Sequence, residues 1–214
     1  MVRLRDIGHA LYPYAVFRTG EAVYLTFDDG PIPEVTPKVL DILAQYGVKA
    51  TFFMVGENID KHPEVFAQVI AAGHAVGNHT YNHLKGWKCS FEHYMANVAK
   101  WEEAYSRGLS AAGCSAAQWS LFRPPYGKAT FAQRRALSKQ GSQLIYWDIL
   151  TRDYDARVTT QQMVSKIKHQ VRPGSIINFH DSLKSNERML QALPQVIEWL
   201  QSKGYKLEKL EIDD

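Results

Sequence analysis

Cysteine is scarce in this sequence: Cys89 and Cys114 stand alone among 214 residues, which excludes a disulfide-built scaffold. A lone pair in so long a chain is expected as two buried or free thiols. Charge of one sign is missing too. Lys and Arg number 25 against 22 Asp and Glu, a formal net charge of +3. The basic residues are scattered, so neither nucleic acid nor a charged membrane is an expected partner. No apolar run approaches the ~20 residues of a transmembrane segment. Residues 1–20 also place Arg3, Arg5 and Asp6 where a secretory signal needs an unbroken apolar stretch. The chain is therefore expected to be cytoplasmic, or an envelope or secreted protein already trimmed of a leader. Internal repeats, low-complexity tracts and Pro/Ser-rich linkers are lacking as well. One domain over 1–214 is the expectation, a body from 22 to 210 behind an extension at 1–21.

What is present is an alternation. Residues 22–27, Ala-Val-Tyr-Leu-Thr-Phe, read as a strand closed by the turn Asp28-Asp29-Gly30-Pro31. Val39, Leu40, Ile42 and Leu43 then share one face of a helix that Gly47 ends. The unit recurs as strand 51–55 with helix 63–72, strand 75–77 with helix 91–108, and strand 120–122 with helix 131–139. Strand 143–147 with helix 160–171, strand 175–179 with helix 187–203, and a last strand at 205–210 complete the series. About seven strands in this order predict an α/β fold with a parallel sheet. The pattern fits a closed barrel and an open doubly wound sheet equally well.

In either architecture the carboxyl ends of the strands face one mouth. Asp28 and Asp29 follow the first strand, His79 the third, Arg123 the fourth, Asp148 the fifth and His180 the sixth. Within His79-Thr-Tyr-Asn-His83 the imidazoles are four residues apart, a spacing that lets both reach one ion. Alone it also describes two polar loop residues, and Asp-Asp-Gly-Pro is good turn chemistry without an ion. Their convergence is more specific. Two neutral histidines and a carboxylate can hold a divalent metal while leaving positions open to water, the make-up of a hydrolytic site. Of the two adjacent Asp residues, the one not on the metal is then a candidate general base, with Arg123 as a clamp able to meet a carboxylate two-pronged. Pro124 and Pro125 fix the loop that presents the Tyr126 amide to an oxyanion, and His180 is the candidate general acid. Trp87, Tyr126 and Tyr154 offer faces for sugar stacking, although Trp87 equally suits rim packing.

These motifs, in this order, resemble the polysaccharide deacetylases of the NodB-homology type, carbohydrate esterase family 4, from about residue 22 to residue 210. Thr26-Phe-Asp-Asp-Gly30 is similar to the first motif of that family. The resemblance implies Asp28 as base and Asp29 as metal ligand. His79-Thr-Tyr-Asn-His83 resembles the second, which implies His79 and His83 as the other two ligands. Arg123-Pro-Pro-Tyr-Gly127 resembles the third, in which the Arg orients the base and the Tyr backbone holds the oxyanion. Ile176-Ile-Asn-Phe-His180 resembles the fifth, ending in the general acid. The resemblance implies a distorted (β/α) barrel and a single catalytic domain that deacetylates an N-acetylglucosamine polymer such as peptidoglycan or a chitin-like chain. One divalent ion is implied, zinc first and cobalt or nickel as alternatives.

The fourth motif departs from the family's Asp-x-x-Asp-Trp. Trp147-Asp-Ile-Leu-Thr-Arg-Asp-Tyr154 puts Leu150 at the first Asp and Tyr154 at the Trp, with Asp153 aligned. Because the resemblance gives that first Asp the task of tuning the catalytic histidine, Asp148 is expected to replace it as the partner of His180. Pro124, Asp153 and Tyr154 are expected along the sugar groove. A hydrolase of another C–N or ester bond, and a non-catalytic carbohydrate-binding domain, stay open as alternatives. The sequence does not indicate an oligomeric state.

Overall fold

The strand read at 22–27 forms as β2 (Val23–Asp28), and its alternation decides what faces where. Val23, Leu25 and Phe27 join the large core beneath the helices, whereas Tyr24, Thr26 and Asp28 turn to the opposite, inner face. All six are buried, as a parallel strand covered on both faces requires. The computed structural model describes residues 15–17, 19–115 and 120–211, and most of the 1–21 extension lies outside them.

The other strands are β1 (Ala15–Val16), β3 (Thr51–Met54), β4 (Ala75–Asn78), β5 (Leu121–Phe122), β6 (Gln143–Ile145), β7 (Ile149–Leu150), β8 (Ile176–His180) and β9 (Leu207–Glu208). Every described pairing is parallel, along the path β1-β6-β5-β4-β3-β2-β8-β7 with β9 on β2. The strand expected at 143–147 ends at Ile145, and a further short strand, β7, that the sequence pattern did not show follows at Ile149–Leu150. β6 pairs with β5 and β7 with β8, so Tyr146, Trp147 and Asp148 cross from one side of the curl to the other. The covalent chain closes the ring at a point where ladder hydrogen bonds do not, which makes this a distorted barrel and not an open sheet. At the break the Ile145 and Tyr146 carbonyls accept hydrogen bonds from the Arg123 guanidinium, at 3.2 and 3.0 Å. The last strand shrinks to two residues because β3 occupies the same edge of β2 from Thr26 onward, leaving β9 only Val23 and Tyr24.

Outside the ring run α1 (Thr36–Gln45), α2 (Gly56–Lys61), α3 (Pro63–Ala71), α4 (Phe91–Ala111), α5 (Phe131–Lys139), α6 (Thr160–Gln170) and α7 (Asn186–Ser202). Ser90 caps α4, and Thr130 with Gln133 and Thr159 with Gln162 form capping boxes on α5 and α6. Helix α2 is absent from the sequence pattern. Six residues with Ile59 as their one buried apolar side chain show no periodicity. Helix α4 also runs past Gly108, the expected stop. A Cβ there would lie 2.8 Å from the Phe66 ring and 3.0 Å from Ile59, so this glycine admits α2 and α3 against α4 and does not end the helix. Cys89 and Cys114 are both free. Among the described residues no helix is long and apolar enough to cross a membrane.

Candidate active site

Register on the two central strands sets the site. Tyr24 lies opposite Ile176, Thr26 opposite Asn178, and Asp28 opposite His180. The inner face therefore changes character along the barrel axis, from an apolar layer that includes Tyr24 and Ile176, through Thr26 and Asn178, to the two ionisable groups at the strand ends.

Asp29, His79 and His83 meet beside this pair, with one donor atom from each within 4.8 Å of the others. Asp29 Oδ1 stands 3.3 Å from His83 Nε2 and 3.8 Å from His79 Nε2. The donors are prepared for a cation. His79 Nδ1 is 2.7 Å from the Arg123 carbonyl, which can only accept, so Nδ1 carries the proton and Nε2 keeps its lone pair. Burial, then the neighbouring His79, hold His83 down at about 4 against the opposing pull of Asp29 and Asp28, so its imidazole is neutral at pH 7. Asp29 Oδ1 is buried and has no hydrogen-bond partner. An orphaned carboxylate oxygen facing two imidazole lone pairs fits a divalent metal, and an N/O donor set suits zinc, cobalt or nickel. Asp29 (φ 86°) and His83 (φ 56°) are both left-handed, strain that the surrounding loop imposes at this position. Asn97 and Asn78 help to impose it, accepting hydrogen bonds from the Tyr81 and Thr80 amides.

Asp28 is buried and receives Arg123 Nη1 on Oδ1 at 2.7 Å and Asn178 Nδ2 on Oδ2 at 3.0 Å. The expected two-pronged clamp is therefore corrected. Arg123 gives Asp28 one nitrogen only, because Nε and Nη2 are committed to the Ile145 and Tyr146 carbonyls, and Asn178 serves the second oxygen. Burial alone would raise the Asp28 carboxyl; the Arg123 charge, helped by His79 and His180, outweighs it and leaves the group below its ordinary value. Asp28 is thus an anion held ready to accept a proton.

On the neighbouring strand, His180 Nδ1 lies 2.8 Å from Asp153 Oδ1, and its backbone N–H donates to Asp153 Oδ2 at 2.7 Å. Asp153 is fully buried, so it is the histidine's partner and not the groove residue expected from sequence. Asp148 is likewise corrected: it accepts from Ser175 Oγ at 2.8 Å and from the Ile176 amide at 2.9 Å, at the opposite end of β8 from His180. Burial pushes His180 down, but Asp153, with Asp28 and Asp29 adding, outweighs it and raises the imidazole to about 9.

Pro124, also expected in the groove, is buried, and its carbonyl accepts the Gly127 amide at 2.9 Å. It precedes the 3-10 turn Pro125–Gly127, where Tyr126 is left-handed at φ 59°. The Tyr126 ring packs 4.6 Å from His83, Trp87 meets Tyr126 edge-on at 5.5 Å, and Tyr154 meets His180 edge-on at 5.0 Å. All three aromatic residues are exposed.

Sequence reasoning missed Asn178 and Asp181. Asn178 was signalled by a polar residue inside an apolar strand, two positions before His180. Asp181 carries no such signal. Fully buried, it accepts the Gly30 amide at 3.0 Å and the Thr36 hydroxyl at 2.6 Å, and its own N–H donates to the Asp28 carbonyl at 3.1 Å. It pins the turn bearing Asp28 and Asp29. A Cβ on Gly30 would collide with its carboxylate, which explains the glycine.

The chain is also similar to proteins that are already known. A peptidoglycan-N-acetylglucosamine deacetylase of Bacillus cereus is 35% identical over 88% of this chain, which spans 66% of that protein, just under two thirds. A chitooligosaccharide deacetylase of Bradyrhizobium sp. (strain ANU 289) is 34% identical over 88% of this chain and 89% of its own length. The crystal structure of a peptidoglycan N-acetylglucosamine deacetylase in complex with 4-naphthalen-1-yl-N-oxidanyl-benzamide matches with a TM-score of 0.86 at 31% identity, covering 98% of this chain and 95% of that one. With the profile of the polysaccharide deacetylases also matching residues 17–145, the chain belongs to the polysaccharide deacetylase family.

Proposed function

We propose that the chain is a metal-dependent hydrolase that removes N-acetyl groups from an N-acetylglucosamine-containing saccharide. One observation carries this reading: Asp28 and His180 face each other in register on β2 and β8, directly beside the donors Asp29, His79 and His83. Amide hydrolysis needs one proton taken from water and one delivered to the departing amine, and two groups with opposed proton affinities side by side supply both. When bound, a divalent ion would supply Lewis-acid polarisation of the acetyl carbonyl and make a nearby water easier to deprotonate.

Asp28, kept ionised by Arg123 and Asn178, accepts the proton of the attacking water as its oxygen adds to the acetyl carbon. The Tyr126 amide, in its left-handed turn, is a donor for the developing oxyanion. His180, charged through its pairing with Asp153, gives a proton to the nitrogen as the C–N bond breaks, and acetate and a free amino sugar leave. Tyr154 beside His180 and Tyr126 beside His83 flank the sugar. The non-catalytic alternative loses its motive, because Asp153 already gives the histidine a carboxylate partner.

Acetate release from an N-acetylglucosamine oligomer tests the proposal. The protein is stripped with a chelator and assayed with Zn²⁺ or Co²⁺ added back, alongside His79→Ala. Release restored in the parent and not in the variant is expected; no release from a protein shown to bind metal refutes it.

A further inference from the structure

Resting on the acid role proposed for His180, we infer that Arg188 is a positioning residue: from the first turn of α7 it holds the main chain of Asp153, so that this carboxylate meets His180 in one geometry. Asp153 makes two bonds to the histidine, Oδ1 with Nδ1 at 2.8 Å and Oδ2 with the backbone N–H at 2.7 Å, and both need its backbone fixed. No strand or helix fixes it. β7 ends at Leu150, α6 begins at Thr160, and Arg152 between them is left-handed at φ 60°. The last bond towards β8 runs from the Thr151 amide to the Asn178 carbonyl at 3.1 Å, two residues short of Asp153.

Beyond that point the stretch is tied by side chains that reach main-chain carbonyls. Lys166 on α6 donates from Nζ to the Leu150 carbonyl at 2.6 Å, and Arg188 on α7 donates from Nη2 to the Asp153 carbonyl at 2.9 Å. The histidine is tied from the same helix end. Ser185, 1% exposed and three residues before Arg188, donates from Oγ to the His180 carbonyl at 2.6 Å. Residues three apart lie on one helix face, so a single end of α7 holds both partners of the acid pair and sets how they meet.

Arg188 is set apart from the other arginines by what it leaves alone. Arg107, Arg152 and Arg157 each hold a carboxylate, the usual partner of a guanidinium. Among the described residues Arg188 forms no ion pair; Nη2 serves the Asp153 and Lys184 carbonyls, at 2.9 and 3.3 Å, and Nε is buried with no hydrogen-bond partner. Stability alone does not favour a half-buried cation with an unsatisfied nitrogen. Holding the carbonyl leaves the Asp153 oxygens to His180, with the Tyr154 amide as a further donor to Oδ1 at 3.1 Å. A guanidinium on the carboxylate itself would compete with the imidazole for it.

Nuclear magnetic resonance of protein carrying isotope-labelled histidine tests the inference without turnover, and acetate release is assayed separately. The His180 Nδ1–H signal is assigned by its loss in His180→Gln. Its exchange with water is then compared in the parent, Arg188→Met, Arg188→Lys and Glu187→Gln, the last an exposed neighbour on the same turn. Arg188→Met keeps the apolar stem without the donor and should speed that exchange about 10-fold, as expected for one lost hydrogen bond, while the other imidazole signals and the Zn²⁺ dissociation constant stay in place. Arg188→Lys, which retains a donor, should fall between, and Glu187→Gln should match the parent. In an active parent, Arg188→Met should lower kcat about 10-fold at unchanged KM. An exchange rate unmoved in Arg188→Met, raised equally in Arg188→Lys, or raised only with displacement of every imidazole signal overturns the inference whether or not acetate is released; so does an unmoved kcat in an active parent. Faster exchange confined to His180 supports it even if turnover fails, in which case the hydrolytic reading alone falls.

Discussion

Replacing Asp153 with asparagine tests the machinery of the candidate acid. In the native protein the His180 imidazole is raised from 6.5 to about 9, a differential stabilisation of the charged form of about 3 kcal/mol shared among Asp153, Asp28 and Asp29. The Asp153→Asn variant would keep an acceptor but lose the charge, leaving burial, the largest single influence and a lowering one, less strongly opposed. The imidazole should fall to about 6.5 or below. If His180 must be protonated to act, then at pH 8 about nine tenths of the parent is competent but only about 3% of the variant, a loss of about 30-fold that nearly vanishes at pH 6. The assay is the pH dependence of kcat/KM for acetate release, whose alkaline limb should move down by about 2.5 units. A bound divalent ion lowers the limb in both proteins, so the difference between them is the quantity to read. Stability should follow the same group. Its folded value lies above its unfolded one, so its contribution is complete below pH 6.5 and is lost as pH rises through about 9. The variant's deficit in chemical denaturation should accordingly be largest in acid and shrink towards pH 9. Asp148→Asn is the control, since Asp148 bonds Ser175 and Ile176 and should leave the limb where it is. An alkaline limb unmoved in Asp153→Asn, or moved equally in Asp148→Asn, would refute the reasoning.

Asp28→Asn should abolish most acetate release and, by leaving the buried Arg123 without its counter-charge, cost about 3–5 kcal/mol in urea denaturation; a variant of parental activity sinks the base assignment. Asp181→Ala strands the Gly30 amide and the Thr36 hydroxyl, so a loss of about 1–3 kcal/mol and weaker metal binding in a titration are expected, with Asp181→Asn affected less. Added Zn²⁺ at about 100 times its dissociation constant should stabilise the stripped parent by about 2.7 kcal/mol, read as a rise in melting temperature. Asp29→Asn, which converts a donor carboxylate to an amide, should lose most of that rise.

Much of the site is legible in the sequence because its chemistry is carried by short local patterns. The alternation Val-Tyr-Leu-Thr-Phe-Asp fixes Asp28 on the inner face once the strand forms, and His79-Thr-Tyr-Asn-His83 carries both imidazoles within one turn. Placing ionisable residues just beyond strand ends needs only the strand–helix rhythm. Helix α2 and the continuation of α4 through Gly108 are not legible, since one depends on burying a single Ile59 and the other on how closely Phe66 approaches.

The sequence by itself indicated most of the succession of strands and helices and which ionisable residues stand just past the strand ends, because strand alternation and motif spacing act over a few residues, while the roles of donor, base and acid rested on the family resemblance. Only the tertiary structure decided who partners whom. His180 takes Asp153 and not Asp148 because β7 and β8 align so that Asp148 faces the start of β8 and the chain after β7 turns back to its end. Arg123 gives Asp28 one nitrogen because its others are drawn to the carbonyls left bare where the ring is closed by chain instead of ladder bonds. Asp181 reaches Gly30 from 151 residues away. Such pairings depend on register and on where a curled sheet meets itself, quantities that no local pattern encodes.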